Sequence, residues 1–309
     1  MRWVWFNGEI VPESEARLSI YDSALMFGDM VFEMTRSFRK KQFMLREHLE
    51  RLYRSARYFR IDIGMTIEEM EQACHDIQEK NEFEPDFKLD DEHRLMINVS
   101  RGVLPMYSDT GRVGSNVIIS DFPLRWTTAG MGKLFDVGIN AVTPSQRAIP
   151  AHLLDPKVKC RSRAHLMMAN IEVSGYEGDC WPVILNKHGH VTESTGANVF
   201  TVYDGIIYTP SYDCLEGISR AYVMENGCET AELDLYDLYQ ADEMFFTATP
   251  FCALPVVSIN GQKIGDGKPG PIYNDILEIW SEDVGVDIKA QIQEWDKGAK
   301  PGPSAYKFK

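Results

Sequence analysis

The segment Asp155-Pro156-Lys157-Val158-Lys159-Cys160-Arg161-Ser162-Arg163 decides how the rest of the chain is interpreted. It places Lys159 just before a helix predicted over residues 162–174, with basic residues on both sides. Neighbouring cations disfavour the protonated form of an amine, and a lysine with a lowered pKa can form a Schiff base with an aldehyde. The alternative is a basic surface turn, which composition alone favours.

The composition is that of a globular protein with two lobes. The chain has 309 residues, beyond the size at which one hydrophobic core usually keeps growing. Its formal charge of -14 would repel nucleic-acid phosphates and anionic lipids, so we expect neither nucleic acid nor membrane as a partner. The six cysteines and seven histidines are scattered without metal-ligand spacing, which predicts a cytoplasmic protein with neither metal nor disulfides.

The hydrophobic pattern predicts an α+β fold. We expect a small lobe over residues 1–121, a crossing loop over 122–133, a larger strand-rich lobe with peripheral helices over 134–295, and a loose tail over 296–309. Local signals in the first lobe are a hairpin at Asn7-Gly8 and a capping box from Thr66 to Glu69. Strands are predicted over 31–38, 95–100, 117–120, 135–142, 182–186, 199–203 and 206–209, and further helices over 47–59, 218–226 and 272–281.

Two glycine-containing segments are candidate phosphate sites. Leu215-Glu216-Gly217-Ile218-Ser219-Arg220 begins a predicted helix, whose free N–H groups and positive dipole end suit an anion. Thr247 and Thr249 end a predicted strand, and their hydroxyls can donate to the same anion. Arg51 can bind that anion through two N–H groups of its guanidinium. The alternatives are turn capping for the threonines and a solvated helix face for Arg51. Gly265–Gly270 reads G-x-G-x-x-G but follows the hairpin signal Asn260-Gly261, so we predict a turn there.

Six blocks in a fixed order make the sequence resemble the class IV aminotransferases. These fold-type IV pyridoxal-phosphate enzymes include branched-chain and D-amino-acid aminotransferases, (R)-selective amine transaminases and aminodeoxychorismate lyases. The blocks are Phe27–Glu33, His48–Ala56, the segment ending at Lys159, Thr192–Phe200, Leu215–Arg220 and Ala241–Thr249. The resemblance runs from Asn7 to about Val286 and implies a two-lobed fold, pyridoxal 5′-phosphate as cofactor, and a homodimer with active sites near the subunit interface.

The resemblance also implies roles for individual residues. Lys159 would hold the cofactor as a Schiff base and act as the catalytic base, and Glu193 would pair with the pyridine nitrogen, although a glutamate at a strand end is ordinarily solvated. The residues that match the family's phosphate contacts are Arg51, Ile218, Ser219 and Thr249.

Departures from the family patterns bear on the substrate. Pro105 is followed by Met106-Tyr107-Ser108, so the Arg and His that trap a carboxylate in D-amino-acid aminotransferases are missing. Branched-chain enzymes often have a Tyr-x-Arg on the third strand, whereas this chain has Arg94-Leu95-Met96-Ile97-Asn98 there. Arg36 matches a pocket arginine of some branched-chain enzymes and is the predicted carboxylate ligand, with Arg163 a second candidate.

The sequence therefore predicts ping-pong amino transfer between an apolar amino acid or amine and a 2-oxo acid. Phe27, Phe32 and Met34 are the residues expected to make the pocket apolar. Three alternatives stay open. One is a lyase of the aminodeoxychorismate type that releases pyruvate, another is an (R)-selective amine transaminase, and the third is a protein that keeps the fold without catalysis.

Overall fold

The structure, a computed structural model, describes residues 1–297 and contains two compact units. The first comprises residues 1–127 and 158–163, and the second comprises residues 128–157 and 164–297 of the described chain. The sequence predicted that the first lobe ends at residue 121 and that Lys159 belongs to the larger lobe. In the structure the first unit extends to residue 127 and includes Lys159. The segment 158–163 groups with the first unit because it is hydrogen-bonded to a strand there: the Phe32 N–H donates to the Lys159 carbonyl over 3.0 Å, and the Arg161 N–H to the Met30 carbonyl over 2.8 Å. Most of the predicted loose tail, from 298, lies outside the described residues.

The first unit contains an antiparallel sheet and two long helices. Its strands are β1 (Trp3–Phe6), β2 (Glu9–Pro12), β3 (Met30–Met34), β4 (Ser37–Phe38), β5 (Lys41–Gln42), β6 (His93–Gly102) and β7 (Val113–Pro123). Its helices are α1 (Ser23–Phe27), α2 (Leu45–Phe59), α3 (Ile67–Asn81) and α4 (Arg125–Thr128), of which the last residue of α4 already belongs to the second unit. The main sheet has the order β2-β1-β7-β6-β3. Both sides of the predicted capping box at Thr66 and Glu69 are formed.

The core of the first unit lies on one face of this sheet. Successive side chains of a strand point to opposite faces, and Leu95, Ile97 and Val99 of β6 are fully buried. Leu52 of α2 and Ile77 of α3 are equally buried. The opposite face of the sheet carries Phe32 and Met34 and is not part of this core.

The second unit contains an eight-stranded mixed sheet with helices around it. Its strands are β8 (Ile139–Val142), β9 (Cys180–Pro182), β10 (Asn198–Tyr203), β11 (Ile206–Pro210), β12 (Cys228–Ala231), β13 (Glu243–Ala248), β14 (Cys252–Ile259) and β15 (Gln262–Lys263). Its helices are α5 (Leu134–Val137), α6 (Ala164–Val173), α7 (Ile218–Glu225), α8 (Leu235–Gln240), α9 (Pro271–Val284) and α10 (Ile288–Asp296). The strand order is β12-β11-β10-β13-β14-β8-β9, with β15 paired to β14.

The predicted α+β class is confirmed, but three predicted strands were wrong in extent. The strand predicted over 182–186 is instead Cys180–Pro182, and beyond it Leu185 forms only isolated bridges, to Arg147 and Val191. The strand over 31–38 ends at Met34, and Ser37–Phe38 pairs separately with Lys41–Gln42. The strand over 135–142 begins only at Ile139, because Leu134–Val137 forms one helical turn that ends at Gly138, whose φ is 74°. In the described part of the chain, no helix combines the length and apolarity needed to cross a membrane.

Candidate active site

Lys159 lies at the edge of the first unit's sheet. Its backbone N–H donates to Ser55 Oγ of α2 over 3.1 Å, while its carbonyl accepts from Phe32 of β3. Its half-buried side chain places Nζ 4.8 Å from the centroid of the Phe32 ring. The chain on both sides of this amine is therefore held by one helix and one strand.

Arg51 is held by a buried ion pair. Its Nε donates to Glu33 Oε1 over 2.6 Å, and its Nη2 to Glu33 Oε2 over 2.8 Å. His48, one turn earlier on α2, places Nδ1 2.7 Å from Glu33 Oε2. Glu33 is fully buried because its side chain points to the core face of β3, opposite to Phe32.

The charges in this cluster are set by burial and by Arg51. Burial alone would raise the pKa of Glu33, but the charge of Arg51, together with the hydrogen bonds to Arg51 and His48, holds that pKa well below its usual range. Burial lowers the pKa of His48, against the pull of Glu33, so His48 is neutral at neutral pH. Arg51 is therefore the cation that keeps Glu33 ionised under those conditions.

Two further arginines lie over the same aromatic ring as Lys159. The guanidinium carbon of Arg161 is 3.7 Å from the Phe32 centroid, and that of Arg163 is 5.7 Å away. Arg161 also donates from Nη2 to Asn98 Oδ1 over 2.7 Å. Burial, with the charge of Arg163, lowers the pKa of Arg161 to about 10, so it remains a cation at neutral pH.

The remaining predicted substrate residues are spread over the first unit. Met34 follows Phe32 on the same face of β3, and Arg36 lies just beyond the strand end with its guanidinium carbon 3.7 Å from the Phe38 centroid. Phe27 is 64% exposed at the end of α1, where its carbonyl accepts from Ser162 Oγ over 3.3 Å. The structure thus brings Lys159, Phe32 and Arg163 together, whereas the Phe27 side chain is exposed in the single chain.

Glu193 lies in the second unit and is tied to the segment that precedes α7. The Leu215 N–H donates to Glu193 Oε2 over 3.2 Å, and Asn198 Nδ2 donates to the Leu215 carbonyl over 2.8 Å. Gly217 follows two residues later and caps α7 without a side-chain hydrogen bond. The carboxylate and the helix start are therefore held together by one short loop.

The start of α7 has the properties of a phosphate site. Ile218 and Ser219 are buried, and the first N–H groups of a helix have no partner within the helix. Thr247 Oγ1, on β13 opposite Asn198, is buried and has no hydrogen-bond partner within residues 1–297. Thr249 follows the end of β13. A buried helix start without a cap and an orphaned hydroxyl fit a phosphate group, which accepts several hydrogen bonds.

The segment Gly265–Gly270 does not have these properties. It forms a turn, as predicted, but leads directly into α9. The first N–H groups of that helix are already bound: Ile272 and Tyr273 donate to the two carboxylate oxygens of Glu243 over 3.0 and 2.9 Å. A buried carboxylate therefore occupies the position where a phosphate would bind.

Sequence reasoning did not assign roles to Glu33, His48 and Ser55. Their signal was present, because His48, Arg51 and Ser55 are three, then four residues apart and so share one helix face. Glu33 alternates with Phe32 and Met34, which marked it as a core-facing carboxylate in need of a partner.

Comparisons with known proteins point to one family. The profile of the amino-transferase class IV family matches residues 30–259. A Methanocaldococcus jannaschii protein provisionally named a branched-chain-amino-acid aminotransferase is 34% identical over 283 residues, covering 89% of this chain and 94% of its own. The branched-chain-amino-acid aminotransferase of Escherichia coli K12 is 30% identical, covering 89% and 91%. The crystal structure of the branched-chain amino acid aminotransferase from Thermobaculum terrenum in its pyridoxal-phosphate form is similar with a TM-score of 0.78 and 27% identity, covering 95% and 97%.

Proposed function

The chain belongs to the class IV aminotransferase family, and from this premise we propose that it moves an amino group from an apolar amino acid or amine to a 2-oxo acid in a ping-pong cycle. It is a pyridoxal-phosphate-dependent aminotransferase. The observation that carries the proposed site is Lys159, whose backbone is fixed on both sides and whose amine lies against Phe32.

The proposed contacts to the cofactor are those that the family resemblance gives. Lys159 would hold it covalently, and Arg51 would contact its phosphate. Glu193 would bind its ring nitrogen, and Ile218 and Ser219, at the start of α7, and Thr249 would bind the phosphate as well. Bound there, the cofactor supplies an electron sink for negative charge at the substrate α-carbon.

The protein's own residues then have separate tasks. A carboxylate at Glu193 favours protonation of the group it binds, because an opposite charge stabilises the protonated form. The Lys159 amine is the base that moves the proton at the substrate α-carbon. Glu33 and Ser55 act as positioning residues, since Glu33 holds the Arg51 side chain and Ser55 holds the Lys159 backbone.

The proposed preference for apolar substrates is supported by Phe32 and Met34, which lie beside the Lys159 segment.

A homodimer is proposed as well, and it is supported by the exposed apolar side chains Leu25 and Phe27 of α1. We also propose a cytoplasmic location, with which the thiol form of all six cysteines is compatible.

The proposed reaction is tested by mixing the holoenzyme with single amino acids and amines, both enantiomers of each, and with 2-oxoglutarate or pyruvate as acceptor. We expect the visible absorption band of the cofactor to change with apolar donors and to recover when the acceptor is added. A band that no donor changes would contradict amino transfer, and release of pyruvate without any acceptor would indicate the lyase instead.

Replacement of Lys159 by Ala tests the catalytic amine. We expect loss of the covalent bond to the cofactor, seen by mass spectrometry after borohydride reduction, and a fall in kcat of at least about 10²- to 10⁴-fold, because proton transfer by a positioned base contributes that much. Lys157→Ala is the matched control, since this lysine is two residues away and its side chain is 58% exposed. Equal turnover by the two variants would contradict the role of Lys159.

A further inference from the structure

Arg94, the second residue of β6, is a buried arginine with few partners. Its exposed fraction is 6%, and its Nε and Nη1 have no hydrogen-bond partner within residues 1–297. Nη2 contacts the sulfur of Met34 at 3.6 Å, and a thioether is only a weak acceptor. A guanidinium carries five donors and keeps its charge, so burying one without an anion is unfavourable.

A second guanidinium lies close to it. Arg36 is 1% exposed, and burial together with the charge of Arg36 lowers the pKa of Arg94 to about 9. Arg94 is thus still a cation at neutral pH. Two buried like charges repel each other, and an anion between or beside them would relieve that repulsion.

Arg94 also lies on the face of the sheet that carries Lys159. In the β3–β6 register Phe32 is opposite Asn98 and Met34 is opposite Met96, so Arg94, two residues before Met96, points to the same side. Residues two apart in a strand are separated by about 6.6 Å. The Arg94 side chain reaches Met34, which is two residues from Phe32 on β3, so its guanidinium lies about one such spacing along the strand from the residue that Lys159 contacts.

We propose that Arg94, with Arg36 beside it, binds a carboxylate of the substrate. The ligand class is a short 2-oxo acid or amino acid, and dicarboxylic acids are included. A planar guanidinium binds a carboxylate through two parallel hydrogen bonds, which gives orientation as well as affinity. This inference rests on the proposed amino transfer for its substrate, and it gives a role to the arginine that replaces the Tyr-x-Arg pattern.

The test measures binding of glutarate, an unreactive dicarboxylate, to the holoenzyme by calorimetry. Arg94→Met should raise the Kd of glutarate and the KM for 2-oxoglutarate roughly 10- to 100-fold, because a hydrogen bond to a charged group contributes that much. The affinity for the cofactor should not change. Arg57→Gln, a substitution of an exposed arginine on α2, should leave both constants unchanged.

Stability separates a binding role from a structural one. Arg94→Met removes a buried cation that is repelled by Arg36, so the melting temperature of the variant should equal or exceed that of the parent protein. If the methionine variant fails to fold, Arg94→Gln serves for the same binding measurement. Unchanged glutarate binding by the variant, absence of glutarate binding by the parent protein, or a loss confined to cofactor affinity would each overturn the proposal.

The two proposals fail separately. If amino donors react but Arg94→Met binds glutarate as the parent does, the carboxylate site is wrong and amino transfer stands. If no donor reacts but the variant loses glutarate binding, amino transfer is wrong and the carboxylate site stands.

Discussion

At the scale of single residues, Glu33 sets the orientation of the Arg51 guanidinium. Both carboxylate oxygens of Glu33 are bound by Arg51, and His48 shares one of them. A fully buried carboxylate is stable only when it is paired, and Arg51 supplies the pairing charge. The arginine is thereby fixed in one orientation before any ligand binds.

Glu33→Gln tests this pair. We expect the free energy of unfolding to fall by about 3–5 kcal/mol, the usual cost of removing one partner of a buried ion pair. We also expect weaker cofactor binding, because Arg51 loses the carboxylate that orients it. Chemical denaturation of the apoprotein and fluorescence titration with pyridoxal 5′-phosphate measure the two effects. The control is Glu47→Gln, which changes an exposed glutamate on α2, the helix that carries Arg51. A similar result for both variants would contradict a specific role for Glu33.

At the scale of elements, the contacts proposed for the cofactor include one face of α2 and the first residues of α7. The face of α2 that carries His48, Arg51 and Ser55 packs against β3 and reaches the Lys159 segment. The start of α7 depends on Gly217, where an added Cβ would lie 2.1 Å from Asn198 Oδ1. Asn198 in turn holds the Leu215 carbonyl, so the approach to the helix start is closely packed.

Gly217→Ala tests the helix start. The clash should displace the loop and lower the free energy of unfolding by about 1–3 kcal/mol, the usual cost of overpacking. The free energy of cofactor binding should be weakened by more than the free energy of unfolding, because the N–H groups of Ile218 and Ser219 would move. Gly196→Ala is the control, since a Cβ there meets no atom within 4 Å. Cofactor affinity equal to that of the control would show that the α7 start does not bind the phosphate.

At the scale of the whole molecule, the buried titratable groups link stability to pH. The pKa of His48 is lowered in the folded protein from an ordinary value of 6.5, so its contribution is present above that pH and is lost as pH falls below it. The pKa of Glu33 is lowered from 4.5, so its contribution is lost only as pH falls below 4.5. Burial raises the pKa of Asp121, which acts in the opposite direction at low pH.

His48→Gln isolates the first of these effects. Between pH 6.5 and 5 we expect the free energy of unfolding of the parent protein to fall relative to that of the variant, by up to about 1.4 kcal/mol for each pH unit, because the unfolded chain takes up a proton that folded His48 refuses. Denaturant titrations of both apoproteins at several pH values measure the difference. Parallel pH profiles would contradict a neutral buried His48.

The sequence by itself determined the features that depend on neighbouring residues. The Asn7-Gly8 turn, the Thr66 cap and the α+β class follow from local conformational preferences and the period of the apolar residues, and the ordered blocks around Lys159 and Glu193 identified the family. Only the tertiary structure decided which partner each buried charge has. The pairing of Glu33 with Arg51, the proximity of Arg94 and Arg36, and the occupation of the α9 start by Glu243 depend on strand register and on packing between residues distant in sequence. Periodicity shows that a side chain points inward, but the energy of a buried charge depends on what it meets there.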